Sequence, residues 1–278
     1  MTGRAGERPI LTSAANPRLR AAAALRDRRD RVRTGRLLVD GAREVARALD
    51  AGMTLVEAFV AAGPVPDPEV AAVAARAAAL GVPLVPIAPE LLARLAYGER
   101  ASGIVAVATA PGTSLSSLAL PDVAPLVGVL EDVEKPGNLG AVCRSADGAG
   151  LDGLVAARGA AAAADPWNPN AVRASLGTVF TVPIAVAATA DVLAWLRDRG
   201  LQVVAARVDA SVDYTDVDLT GPVALVLGSE AQGLTAAWSG SDVTAVRLPM
   251  RGRVDSLNVA AAAAILFYEA RRQRDARA

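Results

Sequence analysis

The chain has 278 residues, with 29 basic and 29 acidic side chains and a formal net charge of zero. It contains no histidine and a single cysteine, Cys143. A Ser-His-Asp triad, a histidine acid/base, a His-bearing or thiolate-cluster zinc site and an internal disulfide are therefore excluded.

The first stretch, Met1 to Arg20, is polar and dotted with arginine, with no apolar core of a targeting segment. The longest apolar run, Val259 to Tyr268, is too short to cross a bilayer and reads as a buried helix face. A cytoplasmic protein with no membrane partner is the expectation. The zero net charge hides an asymmetry: residues 1–50 carry twelve arginines against six acids, which the rest of the chain offsets. A basic block of this kind points to a polyanion, although it also fits a solvated helix face, and no aromatic is interleaved for base stacking.

Asn16-Pro17 opens a helix, with proline in its first turn. Strands are then predicted at Arg36–Asp40, Thr54–Ala61, Leu84–Ile87 and Ile104–Ala108. Helices at Glu44–Leu49, Asp67–Leu80 and Pro89–Leu95 alternate with them. This is a small α/β domain over residues 12–109. Residues 110–124, rich in Ser, Pro and Gly, form a linker. Alternation restarts in a second domain over 125–274. Strands fall at Leu126–Leu130, Gly153–Ala157, Thr181–Val186, Leu201–Arg207, Val223–Leu227 and Val243–Leu248. Helices fall at Asn138–Ala149, Ala171–Leu176, Ala190–Arg199 and Ser256–Arg272. Apolar strands alternating with helices predict a mostly parallel sheet flanked by helices.

Neither G-x-G-x-x-G nor a P-loop is present. Three Gly-containing turns follow apolar strands instead. In the first, E-D-V-E-K-P-G-N-L-G-A-V-C-R-S-A-D (Glu131–Asp147), Gly137 permits a sharp turn, Asn138 caps the helix and Arg144 offers a phosphate fork. The second is L-V-L-G-S-E-A-Q-G-L (Leu225–Leu234), at the carboxyl end of a strand, where open α/β sheets bind ligands. The third is L-P-M-R-G-R-V-D-S-L-N-V (Leu248–Val259), in which Asp255 or Ser256 caps the last helix and Asn258 needs a polar partner. Each alone also fits an ordinary capped strand-to-helix loop.

Together and in this order, the three turns resemble the signature motifs of the SpoU/TrmH family of RNA ribose methyltransferases, within the SPOUT superfamily. The stretch V-R-A-S-L-G-T-V-F-T-V-P-I (Val172–Ile184) is similar to the family as well. The N-terminal stretches S-A-A-N-P-R-L-R, G-R-L-L-V-D-G-A-R-E-V and G-E-R-A-S-G-I-V-A-V resemble the substrate-binding domain of its rRNA-directed members. The likeness runs from about Thr12 to Arg272. The chain departs from the family pattern at Ala231, where glycine is usual, and in the looser Glu131–Pro136 segment.

The resemblance implies a deep trefoil knot in the second domain and a homodimer formed through it. It implies transfer of methyl from S-adenosylmethionine to a ribose 2′-hydroxyl of RNA, most naturally rRNA, with no metal required. By matching position, Leu227, Gly228, Glu230, Leu248, Met250, Ser256 and Leu257 line the cofactor pocket. Arg144 is the catalytic arginine, with Asn138, Glu230, Ser256 and Asn258 orienting the substrate or bracing the loops. Arg18, Arg26, Arg28, Arg29, Arg31, Arg33 and Arg173 become candidate RNA contacts. The alternatives are a tRNA ribose methyltransferase and a non-catalytic RNA-binding relative acting in ribosome assembly. A nicotinamide-dependent Rossmann enzyme would share the α/β alternation but needs a glycine fingerprint that is missing.

Overall fold

The computed structural model describes residues 9–63, 67–96, 103–159 and 165–277. Part of the G-E-R-A-S-G-I-V-A-V stretch and of the predicted 158–169 loop lies outside the described residues. In chain order the first elements are α1 (Pro17–Ala24), α2 (Arg28–Thr34), β1 (Arg36–Asp40), α3 (Ala42–Asp50), β2 (Leu55–Ala61), α4 (Pro68–Ala79), β3 (Leu84–Ile87), α5 (Pro89–Leu95) and β4 (Ile104–Thr109). There follow β5 (Leu126–Glu131), α6 (Pro136–Ala149), β6 (Gly153–Arg158), α7 (Pro169–Ala174), β7 (Ile184–Ala188), α8 (Thr189–Asp198), β8 (Gln202–Ala206), β9 (Val212–Asp213), β10 (Val223–Leu227), β11 (Val243–Arg247) and α9 (Val259–Asp275). The chain divides into two compact units, one of residues 1–111 with 167–181, the other of residues 112–166 with 182–278.

In the first unit the sheet order is β1-β4-β2-β3. β4 runs antiparallel to both β1 and β2, and β3 runs parallel to β2. Ile104, Val105, Ala106, Val107 and Ala108 of β4 are all buried, so both faces of this central strand are covered. Segment 167–181 packs here, where α7 meets β1 and Arg47 donates to the Leu176 carbonyl. Leu176 and Gly177 both take positive φ (54° and 86°), and a Cβ at Gly177 would sit 3.1 Å from the Glu44 Cα. The turn therefore fits against α3 only with glycine there.

The basic block forms α1 and α2. Asn16 accepts from the Arg18 backbone N–H, and Asp27 from that of Arg29, so both helices start on side-chain caps. Arg31 corrects the sequence reading. It is 4% exposed and donates to the carbonyls of Leu25 (2.9 Å) and Arg26 (2.7 Å), which makes it part of the core rather than a phosphate contact. Arg18 is paired with Glu57 and Arg33 with Asp30, while Arg26 donates to the Ala96 carbonyl. Arg28 and Arg29 are exposed, and their side chains form no hydrogen bond or ion pair among the described residues.

In the second unit the strands form one parallel sheet of order β7-β6-β5-β10-β8-β11-β9. The all-buried runs L-V-G-V-L-E of β5 and V-A-L-V-L of β10 are what a doubly covered parallel sheet demands. The chain lays β5, β6 and β7 in one direction. It then crosses to β8, inserts β10 between β5 and β8, and adds β11 outside β8. Gly128 in β5 has no side chain because Phe267 of α9 rests on it: a Cβ would come within 2.9 Å of the ring and 2.6 Å of Leu154. α9 packs along α6, and Arg271 donates to the carbonyls of Ala149 (2.8 Å) and Gly150 (2.9 Å), satisfying the end of α6.

Three local expectations are revised. Gly137 and Asn138 lie inside α6, which starts at Pro136 with no side-chain cap. α9 starts at Val259 with Asn258 as its cap, not at Ser256. The apolar run Val259–Tyr268 is buried along one face only; Ile265 (37%) and Tyr268 (52%) are exposed.

The carboxyl end of β5 is tied down by a buried acid. Glu131, fully buried, accepts from the Thr189 hydroxyl (2.7 Å), the Thr235 backbone N–H (2.7 Å) and the Thr235 hydroxyl (3.0 Å). It thereby joins β5 to α8 and to the loop after β10. Glu131→Ala leaves these donors unpaired and opens a cavity, so it should lower stability by about 2–4 kcal/mol, read as a reduced urea midpoint at pH 7.

Candidate active site

β8, β10 and β11 are neighbours in the sheet, and their carboxyl ends open into a cleft of about 1050 Å³. Its walls are the loop after β8, the loop 227–234 after β10 and the loop 247–257 after β11. Leu227, Gly228, Glu230, Leu248, Met250, Ser256 and Leu257, the residues predicted for the cofactor, all line this one cleft.

The loop after β10 doubles back on itself. Ser229 and Gly233 form an antiparallel bridge, and Gly233 takes φ 67°. A Cβ on Gly228 would lie 2.2 Å from the Gly233 carbonyl carbon and 2.5 Å from the Leu234 nitrogen, so only glycine allows that approach. Ala231 has no positive φ, and alanine is accommodated there without backbone strain.

Glu230 gathers two of the other predicted residues, Asn258 and, beside it, Asn138. Lys135, the only lysine of the chain, donates to its Oε2 at 2.9 Å. The Asn258 amide donates to its Oε1 and, at 3.3 Å, to Asn138 Oδ1, while the Asn258 carbonyl oxygen accepts from the Ala260 backbone N–H at 2.9 Å. Asn258 therefore caps α9 and ties the three motifs together at once, which explains a polar amide at the start of an apolar helix. The hydrogen bond from Lys135, then its charge and the two asparagine amides, hold the Glu230 carboxyl below its ordinary range. Glu230 is thus ionised at neutral pH. Its tie to Lys135 is intact above the unfolded-state value of 4.5 and is lost as pH falls through the lowered one. Lys135 was not singled out from the sequence; its being the lone lysine, beside a motif, was the available signal.

Arg144 stands on α6, exposed, with no hydrogen bond or ion pair among the described residues and outside the lining of the cleft. Cys143 beside it is fully buried, and burial pushes its thiol up to about 12, which makes it an inert core residue. Arg173 lies on α7, in the first unit, half-buried.

Comparison with known proteins is consistent with this arrangement. Residues 125–268 match the SpoU rRNA methylase family, and residues 16–106 match the MRM3-like substrate-binding domain. The chain belongs to the SpoU rRNA methylase family. It is 37% identical over 196 residues to the 23S rRNA (uridine(2479)-2′-O)-methyltransferase of Streptomyces viridochromogenes, covering 68% of this chain and 67% of that one. It is 36% identical over 202 residues to the 23S rRNA (guanosine-2′-O-)-methyltransferase RlmB of Ralstonia nicotianae, covering 71% and 80%. Among solved structures, the AdoMet-bound rRNA methyltransferase of Sinorhizobium meliloti superposes with a TM-score of 0.84 at 32% identity, over 95% of this chain and 97% of that one.

The cleft of this SpoU protein fits S-adenosylmethionine. Leu227, Leu248 and Met250 would supply apolar wall, the crowded Gly228–Gly233 backbone would supply amide edges, and Glu230 would supply negative charge to meet a sulfonium. Gly228→Ala should collapse the loop geometry, with binding of S-adenosylhomocysteine by calorimetry reduced below detection while the fold persists by circular dichroism.

Proposed function

We propose that this protein methylates a ribose 2′-hydroxyl of rRNA with S-adenosylmethionine as donor. The observation that carries the reading is that the second and third motif segments line one cleft at the carboxyl ends of β8, β10 and β11, while Lys135 and Asn138 of the first segment are tied to them at Glu230 and Asn258. Residues 12–109 serve RNA binding, 110–124 act as linker and 125–274, apart from the segment 167–181 that packs with the first unit, as the catalytic domain. The names of the relatives favour rRNA as the substrate class.

S-adenosylmethionine supplies a methyl group activated on a positively charged sulfur. The residues of the chain position and shield. Leu227, Leu248 and Met250 exclude water from the cleft, and the loops around Glu230 and Ser256 fix the approach to it. Arg144, exposed and unpaired, is free to fork onto an RNA phosphate and to organise the attacking 2′-oxygen. A guanidinium holds its proton in water, so this organising role, rather than that of base, is assigned to it. Asn138 and Asn258 act through Glu230 as positioning residues.

The same reading includes a homodimer through the second unit and the trefoil knot of the family. Exposed Val254, Leu257, Ile265 and Tyr268 on the last loop and on α9 supply apolar surface for a second copy. A cytoplasmic location follows from a ribosomal substrate. No helix of the described residues is long and apolar enough to cross a membrane.

Labelled methyl transferred from S-adenosylmethionine to unmodified rRNA should appear in alkali-stable dinucleotides, because a 2′-O-methyl blocks cleavage at its own linkage. Label confined to mononucleotides would mean base methylation and contradict the reading. Arg144→Ala should keep its affinity for S-adenosylhomocysteine and lose roughly a hundredfold or more in turnover. Reversing Arg28 and Arg29 to glutamate should weaken RNA binding and reduce the salt slope by roughly 1.5 to 2. An unchanged slope would remove these two from the interface.

A further inference from the structure

The motifs account for two walls of the cleft. The third wall is the loop after β8, the strand lying between β10 and β11. Its first residue, Arg207, is fixed in place: its backbone N–H donates to the Val246 carbonyl at 2.8 Å, and its Nη1 donates to the Ser239 hydroxyl at 2.7 Å. The remaining edge of the guanidinium forks onto Asp209, with Nε to Oδ1 at 2.9 Å and Nη2 to Oδ2 at 3.0 Å. Arg207 and Asp209 both line the cleft.

The pair differs from an ordinary surface bridge. The Arg207 side chain is only 26% exposed, whereas that of Asp209 is 65% exposed. A buttressed cation faces a more exposed anion, and each keeps its charge: Arg207 is shifted up and Asp209 down by their mutual hydrogen bonds. Such a pair complements a zwitterion, since a guanidinium fork matches a carboxylate and a carboxylate matches an ammonium. The apolar lining at Leu227, Leu248 and Met250 offers no such match. The second arginine–acid pair of the cleft, Arg247 with Asp213, is less suited, because Arg247 is 47% exposed and makes no other side-chain hydrogen bond among the described residues.

We propose that Arg207 and Asp209 form the subsite for the amino-acid end of S-adenosylmethionine, Arg207 turning its fork to the α-carboxylate and Asp209 taking the α-ammonium. The proposal rests on the cofactor reading of the cleft. Calorimetry with S-adenosylhomocysteine and with 5′-methylthioadenosine, which lacks the amino-acid group, tests it. The wild-type protein should prefer S-adenosylhomocysteine by at least roughly tenfold. Arg207→Gln should lose roughly ten- to a hundredfold in affinity for S-adenosylhomocysteine while binding methylthioadenosine as before, which also shows that the cleft is intact. Asp209→Asn should show the same selectivity with a smaller loss. Arg207→Gln and Asp209→Asn that both retain the wild-type preference would overturn the proposal. So would an equal loss of both ligands in both variants, which would make the pair a prop for the wall. Failure of the wild-type protein to bind either ligand would instead remove the cofactor reading itself, and this subsite with it.

Discussion

One carboxylate holds the site together. Glu230 receives Lys135 from the start of α6 and Asn258 from the start of α9, and Asn258 reaches Asn138 as well. Three segments that span 120 residues of sequence from Asn138 to Asn258 are thereby fixed at one point of the cleft. Exposed ion pairs contribute little by themselves. The strength of this arrangement lies in sharing: Asn258 is at once a helix cap and a bridge, so the position of α9 and the position of Glu230 cannot vary independently. Buried Glu131 anchors the far end of the same loop through Thr235. The segment between Gly228 and Thr235 is pinned at both ends and folded on its own glycine bridge.

The sheet explains why the cleft is where it is. β10 is laid down late, between β5 and β8, and β11 then flanks β8 on its other side. Three parallel strands consequently end side by side, and their following loops must turn out of the sheet together. The carboxyl ends of such strands are the natural ligand site of an open α/β sheet. The family likeness and the cleft lining meet at this place, which is why the function follows from the site and not from the fold alone.

Much of this was legible in the sequence. β3, α5 and β10 have the predicted boundaries, because short apolar runs bounded by proline or glycine leave little choice. The cleft lining was legible from the motif order. What escaped depends on tertiary contact. α2 is a run of charged residues whose only buried member, Arg31, is held by two carbonyls, and hydropathy gives no sign of that. β9 is two residues long and exists only because β11 offers it an edge. The placement of segment 167–181 with the first unit, and the cap at Asn258 in place of Ser256, are likewise set by partners distant in sequence. Arg207 carried no motif, and its place in the cleft comes from β8 lying between β10 and β11 in the sheet.

Glu230 and Asn258 act as one unit in shaping the cleft. A double-mutant cycle with Glu230→Gln, Asn258→Ala and the pair, read as affinity for S-adenosylhomocysteine, tests it directly. Strong coupling is expected, with the double variant binding about as weakly as the weaker single variant. Losses that multiply independently would contradict it.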